Sequence, residues 1–244
     1  MLYSSRILKS LLCLKSSHTS LNIRRFKSGT SSRRWIDRQS SDPYTKKSIV
    51  DGYRSRAAYK LLEMNQKYKI FRKSTSNIVD LGFAPGAWTQ VALASASQLE
   101  KKPKILGVDL IDCAPPKGSH FIQGDIFSRK THQDIDEFFG GGGVDVVLSD
   151  MMSNSTGHGE LDHFASMDIC EGVVMLADRL LRVNGTLVMK YFSGSQDGEL
   201  RNKIKAQFSK VYTTKPKACR QALREMYIVA LGKKSTQRDF SASR

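Results

Sequence analysis

Seven short apolar runs alternate with helical patterns along this chain, and that alternation limits what it can fold into. The runs "NIVDLG", "KILGVDL", "HFIQGD", "VDVVLSD", "GTLVMKYF", "KVYTTKP" and "EMYIVALG" read as strands. Several are apolar at successive positions, as in strands covered on both faces. Between them, "WTQVALASASQL", "HQDIDEFF", the segment from about Asp162 to Leu181 and "GELRNKIKAQFS" read as helices, and another helix is predicted from about Tyr53 to Lys67. The order predicts an α/β fold with a mostly parallel seven-stranded sheet and helices on both faces. No helix separates the last two strands, so that edge is predicted to be antiparallel.

Composition divides the chain further. The formal charge is +16, from 39 Lys and Arg against 23 Asp and Glu, which favours a polyanionic partner. Half of the excess lies in residues 1–36, where Arg6, Lys9, Lys15, Arg24, Arg25, Lys27, Arg33 and Arg34 meet no acid. This Ser-rich, acid-free leader has the composition of a mitochondrial transit peptide, with a basic RNA-binding arm as the other reading. The expected organisation is a leader over 1–36, one domain over 37–234 and a polar tail over 235–244. No apolar run reaches about 18 residues, so no membrane span is expected. Cys13, Cys113, Cys170 and Cys219 lack the paired short spacing of a metal site or disulfide framework, so no metal is expected. His158 and His163 read as solvated loop residues.

Ligands of open α/β sheets bind beyond the carboxyl ends of the strands, and here those ends are acidic. The first four strands close on Asp80, Asp109, Asp125 and Asp150. After the first comes "GFAPGAW", in which Gly82 and Gly86 allow a tight turn and Pro85 stiffens it. This is neither the G-x-G-x-x-G of a dinucleotide site nor a P-loop. Carboxylates repel phosphates but suit a ligand with hydroxyls, an amine and a positive charge. Asp109 is placed to accept from a ribose and Asp125 from an adenine amine, which fits S-adenosylmethionine. Any one of these aspartates alone reads better as a turn or capping residue, and it is the four at successive strand ends that point to a ligand. Trp88 either stacks near the cofactor or packs the following helix.

The segments "SRAAYKL", "DLGFAPGAW", "GVDL", "GDI", "LSDMMSN", "GTLVMKYF" and "REMYIVALG" resemble, in order and spacing, the FtsJ family of ribose 2′-O-methyltransferases from about Tyr53 to Gly232. The resemblance implies a Rossmann-like S-adenosylmethionine-dependent methyltransferase fold. It also implies a catalytic tetrad of Lys60, Asp150, Lys190 and Glu225, with Lys190 as proton acceptor. It places the cofactor against Gly82, Pro85, Gly86, Ala87, Trp88, Asp109, Asp125, Ile126 and Asp150. With the leader, it implies a monomeric enzyme of the mitochondrial matrix that methylates a uridine of large-subunit ribosomal RNA, free or in an assembling subunit.

The chemistry of the tetrad follows from its residue types. A ribose 2′-hydroxyl is a weak nucleophile whose oxygen must be positioned while its proton leaves. Lys190 serves as base through a neutral fraction, which burial and the second cation Lys60 promote, while Asp150 and Glu225 oppose that shift but fix its position. Ser153 stands where the family pattern has proline, which predicts a less rigid loop, and Ala87 replaces a second glycine, a small change unless its φ is positive. Arg54, Arg56, Lys215, Lys217, Arg220 and Arg224 are candidates for RNA phosphate contacts. Two other readings are an assembly factor acting mainly by binding, and a cap ribose methyltransferase, which the leader disfavours.

Overall fold

The computed structural model describes residues 41–153, 156–220 and 223–235. The predicted leader over 1–36 and nearly all of the predicted tail over 235–244 lie outside the described residues, as does Asn154 of "DMMSN". The elements are α1 (Pro43–Val50), α2 (Ala57–Tyr68), β1 (Asn77–Leu81), α3 (Ala87–Ala94), β2 (Lys104–Asp109), β3 (His120–Gln123), α4 (Arg129–Phe139), β4 (Val144–Ser149), α5 (Gly159–Leu180), β5 (Leu181–Phe192), α6 (Asp197–Gln207), β6 (Phe208–Thr214) and β7 (Glu225–Lys233). A 3₁₀ turn, Ser95–Gln98, extends α3.

The seven strands form one sheet in the order β3-β2-β1-β4-β5-β7-β6. The first five run parallel, and β7 pairs antiparallel with both β5 and β6. The expected antiparallel edge is present, with the last strand inserted inside the sixth. Side-chain alternation along the buried strands divides the core between two faces. Val79, Leu81, Leu106 and Val108 meet α5 through Met167, Cys170 and Val173. On the other face Ile78, Ile105, Leu148 and Val188 meet α2 and α3 through Leu61, Met64, Trp88 and Val91.

Two local outcomes differ from the sequence reading. The predicted helix from Tyr53 begins only at Ala57, which leaves Arg54 and Arg56 on the approach to it. Helix α1 was not anticipated, although its signals are in "DPYTKK": Asp42 Oδ1 accepts from the backbone nitrogens of Tyr44 and Thr45, and Pro43 opens the helix.

The strand order reverses direction between β1 and β4. Their carboxyl ends therefore diverge into loops on opposite sides of the sheet and leave a crevice, the usual ligand position in open α/β sheets.

Candidate active site

Asp80, Asp109, Asp125 and Asp150 all lie at this crevice, in different roles. Asp80 is within β1, 1 % exposed, and its Oδ2 accepts from the Thr89 hydroxyl at 2.8 Å. Burial pushes its carboxyl up to about 7, against the lowering effect of the Thr89 hydrogen bond and with added repulsion from Asp150 and Asp109. Asp109 ends β2 and accepts from the backbone nitrogens of Ala84 at 2.8 Å and Ile111 at 2.9 Å. It thus ties the "GFAPGAW" loop to the second strand and lines the crevice. Asp125 lies two residues beyond β3, not at its last position, and its Oδ1 accepts from Phe127 N at 3.0 Å.

The loop after β1 needs its glycines. Gly82 has φ +71, and a Cβ there would lie 2.3 Å from Met151 Cγ. Gly86 has φ +96 and precedes the first turn of α3. Ala87 opens that helix and is not among the residues of positive φ, so alanine is tolerated there. Trp88 is 3 % exposed, donates from Nε1 to Ala57 O at 2.9 Å and sits 5.9 Å from the Tyr227 ring, so it packs α3 against α2. It also helps line a cavity of about 180 Å³ with Asp80, Pro85, Ala87 and Asp150.

A cleft of about 640 Å³ opens beside that cavity, bounded by Asp109, Leu110, Asp125, Ile126, Asp150 and Ser153. Its volume falls within the range of small-molecule sites. Leu110, Ile111 and Phe127 stay largely exposed at its rim, apolar walls suited to a flat heterocycle. The hydroxyl of Ser153 is buried without a partner among the described residues. Carboxylates for hydroxyls and an amine, apolar walls and, among the described residues, no cationic side chain lining the cleft fit S-adenosylmethionine.

Asp150 lines both the cleft and the inner cavity, and the tetrad converges on it. Lys190 Nζ lies 3.1 Å from Asp150 Oδ1 and donates to Asp150 O at 2.5 Å. Lys60 Nζ lies 3.8 Å from Asp150 Oδ2, pairs with Glu225 Oε1, and is 3.0 Å from the Tyr227 hydroxyl. Glu225 begins β7 opposite Phe192 and Lys190 stands opposite Tyr227, so strand pairing sets these spacings. Burial would raise the Asp150 carboxyl, but Lys190 and Lys60 outweigh it and hold it below the usual range. For Lys60, burial would lower the ammonium, and Asp150 and Glu225 reverse that, holding it above its usual range.

Tyr227, absent from the sequence reading, is the fifth member. It is fully buried, and its hydroxyl lies 2.6 Å from Asp150 Oδ1 and in contact with Glu225 Oε1. Burial first, then the charges of Asp150 and Glu225, push its phenol far above the usual tyrosine range, so it remains a donor. The signal was its place in "REMYIVALG", two residues after Glu225 and so on the same strand face.

The basic candidates divide by what holds them. Arg54 donates to Pro85 O at 2.9 Å and Ala114 O at 2.5 Å, bracing the glycine loop. Arg56 pairs with Asp42 and donates to Ala218 O, while Arg220 Nε lies 3.6 Å from the same Asp42 carboxylate. Lys215 reaches Leu223 O at 2.9 Å, and the Lys217 backbone is bound by Glu63. The side chains of Lys217 and Arg224 are exposed. His163, expected to be solvated, is instead 2 % exposed on α5: its Nδ1 lies 2.8 Å from Phe192 O and its Nε2 accepts from Gln196 N at 3.1 Å. Its place on the face of α5 that meets the end of β5 turns this residue inward. Among the described residues no cluster of three His, Cys, Asp or Glu could hold a metal ion, and no helix is long and apolar enough to cross a membrane.

A mostly parallel seven-stranded sheet with an inserted antiparallel last strand, and a crevice of acidic strand ends, define a Rossmann-like methyltransferase that uses S-adenosylmethionine. Residues 53–233 match the family described as FtsJ-like methyltransferase, and the chain belongs to that family. It is 42 % identical over 206 residues to the ribosomal RNA large subunit methyltransferase E of Rickettsia akari, covering 84 % of this chain and 90 % of the relative. Identity to the protein of that name from Bartonella bacilliformis is 40 % over 208 residues, covering 84 % and 86 %. A crystal structure described as a ribosomal RNA methyltransferase, from Plasmodium falciparum, superposes with a TM-score of 0.68 at 32 % identity, covering 75 % of this chain and all of that one.

Proposed function

We propose that this protein methylates the 2′-hydroxyl of a ribose, that of a uridine, in the large-subunit ribosomal RNA of mitochondria. The observation that carries the reading is the convergence of Lys60, Lys190 and Tyr227 on Asp150, with Glu225 joining Lys60 and Tyr227, where the cofactor cleft meets the inner cavity. The relatives named as large-subunit ribosomal RNA methyltransferases support the substrate class. The basic, acid-free leader supports the compartment.

Bound S-adenosylmethionine supplies an electrophilic methyl group. The protein's own residues act on the nucleophile. Lys190, as the amine, accepts the proton of the 2′-hydroxyl as the oxygen gains its methyl group. Asp150 fixes Lys190 through both its carboxylate and its carbonyl. Lys60 and Glu225 form a second pair that holds Tyr227, and through it Asp150, in place.

Single-turnover transfer of labelled methyl to the RNA, with separate binding assays, tests this assignment. Lys190→Ala should lose at least about a hundredfold in rate, in line with removal of a general base, with cofactor and RNA affinities retained. Lys190→Arg should fail similarly, because a guanidinium does not surrender its proton at working pH. Near-normal turnover by Lys190→Arg would place the base elsewhere.

A further inference from the structure

The end of the sheet opposite the crevice carries a second concentration of positive charge. Lys69, Arg72 and Lys73 lie on the link from α2 to β1, Lys101 and Lys102 on the approach to β2 and Lys104 at its first position; all six are exposed. The two segments are held together by backbone bonds from Glu100 N to Lys73 O at 2.9 Å and from Lys104 N to Ser76 O at 2.7 Å. None of the six forms an ion pair among the described residues. Their contacts are with neutral groups: Arg72 donates to Asn184 O, and Lys104 approaches Phe138 O at 3.3 Å.

Nearby acids do not offset this charge. Asp145 lies under the patch, but its Oδ2 accepts from Ser76 N, Ser76 Oγ and Asn77 N, while its Oδ1 faces Arg182 at 3.2 Å. Glu100 is the one acid in either segment. At the crevice the cations divide: Arg56 and Arg220 share Asp42, Lys60 faces Glu225 and Lys190 faces Asp150, whereas Arg54, Lys217 and Arg224 form no ion pair among the described residues. The six cations at the far end are a separate group, displaced from the chemistry by the length of β2, six residues or roughly 20 Å.

We propose that this patch is a second RNA-binding surface, which grips the phosphate backbone of a segment remote from the methylated nucleotide. Six clustered cations with one acid among them and no ion pair among the described residues, on adjacent segments, suit a backbone and carry no base readout. An RNA held at both ends of the sheet must be folded or large enough to pass around the domain, so the surface selects a structured RNA over a short strand. This inference rests on the reading of the substrate as ribosomal RNA.

The test is a variant carrying Lys69→Gln, Lys73→Gln, Lys101→Gln and Lys102→Gln, all at exposed positions away from the site. Binding to purified, protein-free large-subunit ribosomal RNA is measured against salt concentration, with S-adenosylmethionine affinity as the folding control. Loss of four phosphate contacts should flatten the slope of log K against log salt by roughly 3 and weaken binding at low salt at least tenfold, with cofactor affinity unchanged. An unchanged slope and affinity overturns the proposal. So does a loss seen only on ribosomal particles and not on naked RNA, which assigns the patch to an acidic protein. If the wild type binds RNA with the expected slope yet methylates none, the functional reading fails while the patch stands.

Discussion

At the scale of single residues, the catalytic cluster depends on buried polar groups held by one another. Tyr227 is the most informative because its hydroxyl is shared by two carboxylates and Lys60. Tyr227→Phe removes that bridge at almost constant volume. Hydrogen bonds to charged groups contribute about 1.5–3 kcal/mol, so kcat should fall about tenfold to a hundredfold with KM little changed. Steady-state kinetics showing an unaltered kcat would reduce Tyr227 to a packing residue. Asp80 makes a different prediction. Its carboxyl, raised by burial to about 7, binds its proton more tightly folded than unfolded. Its contribution to stability is therefore full below about pH 4 and is lost as pH rises through about 7. Asp80→Asn cannot ionise, so its melting temperature should rise relative to wild type between pH 5 and 8. A constant difference between the two over that range would contradict the buried, proton-binding carboxyl.

At the scale of elements, legibility followed the range of the interaction. The strands declared themselves through local apolar runs, and the acidic strand ends followed because each Asp sits at or within two residues of its strand end. Lys60 and Glu225, 165 positions apart, were placed together by resemblance rather than by any local signal. Tyr227 stayed hidden because an aromatic residue in a strand reads as core, and His163 because its partners, Phe192 O and Gln196 N, lie 29 and 33 positions away. The Asp42 contact with Arg56 and Arg220 was equally invisible, being a tertiary contact made by a helix the pattern did not reveal. That contact yields a prediction with two opposite signs. Asp42→Ala removes the cap of α1, which typically costs about 1 kcal/mol, and also leaves two partly buried guanidiniums without their carboxylate, so the melting temperature should fall by at least a few degrees. The same change frees two guanidiniums beside the crevice and should tighten RNA binding. Calorimetry and filter binding on one preparation test both, and a fall in RNA affinity would mean that Asp42 orders the loop for RNA instead of competing with it.

At the scale of the whole molecule, the fold joins a cofactor crevice, a lysine-carboxylate cluster and two basic surfaces at opposite ends of one sheet. The family and methyl donor follow from sequence and fold, whereas the nucleotide and compartment belong to the proposal. Those meet in one observable: 2′-O-methylation mapped at nucleotide resolution across mitochondrial and cytosolic large-subunit ribosomal RNA, from cells with the protein, without it, and with Lys190→Ala in its place. The account predicts one uridine in the mitochondrial RNA that loses its methyl group in the absence of the protein and in the Lys190→Ala cells, with cytosolic sites untouched. A methylation map unchanged by loss of the protein, or a site restored by Lys190→Ala, would contradict it.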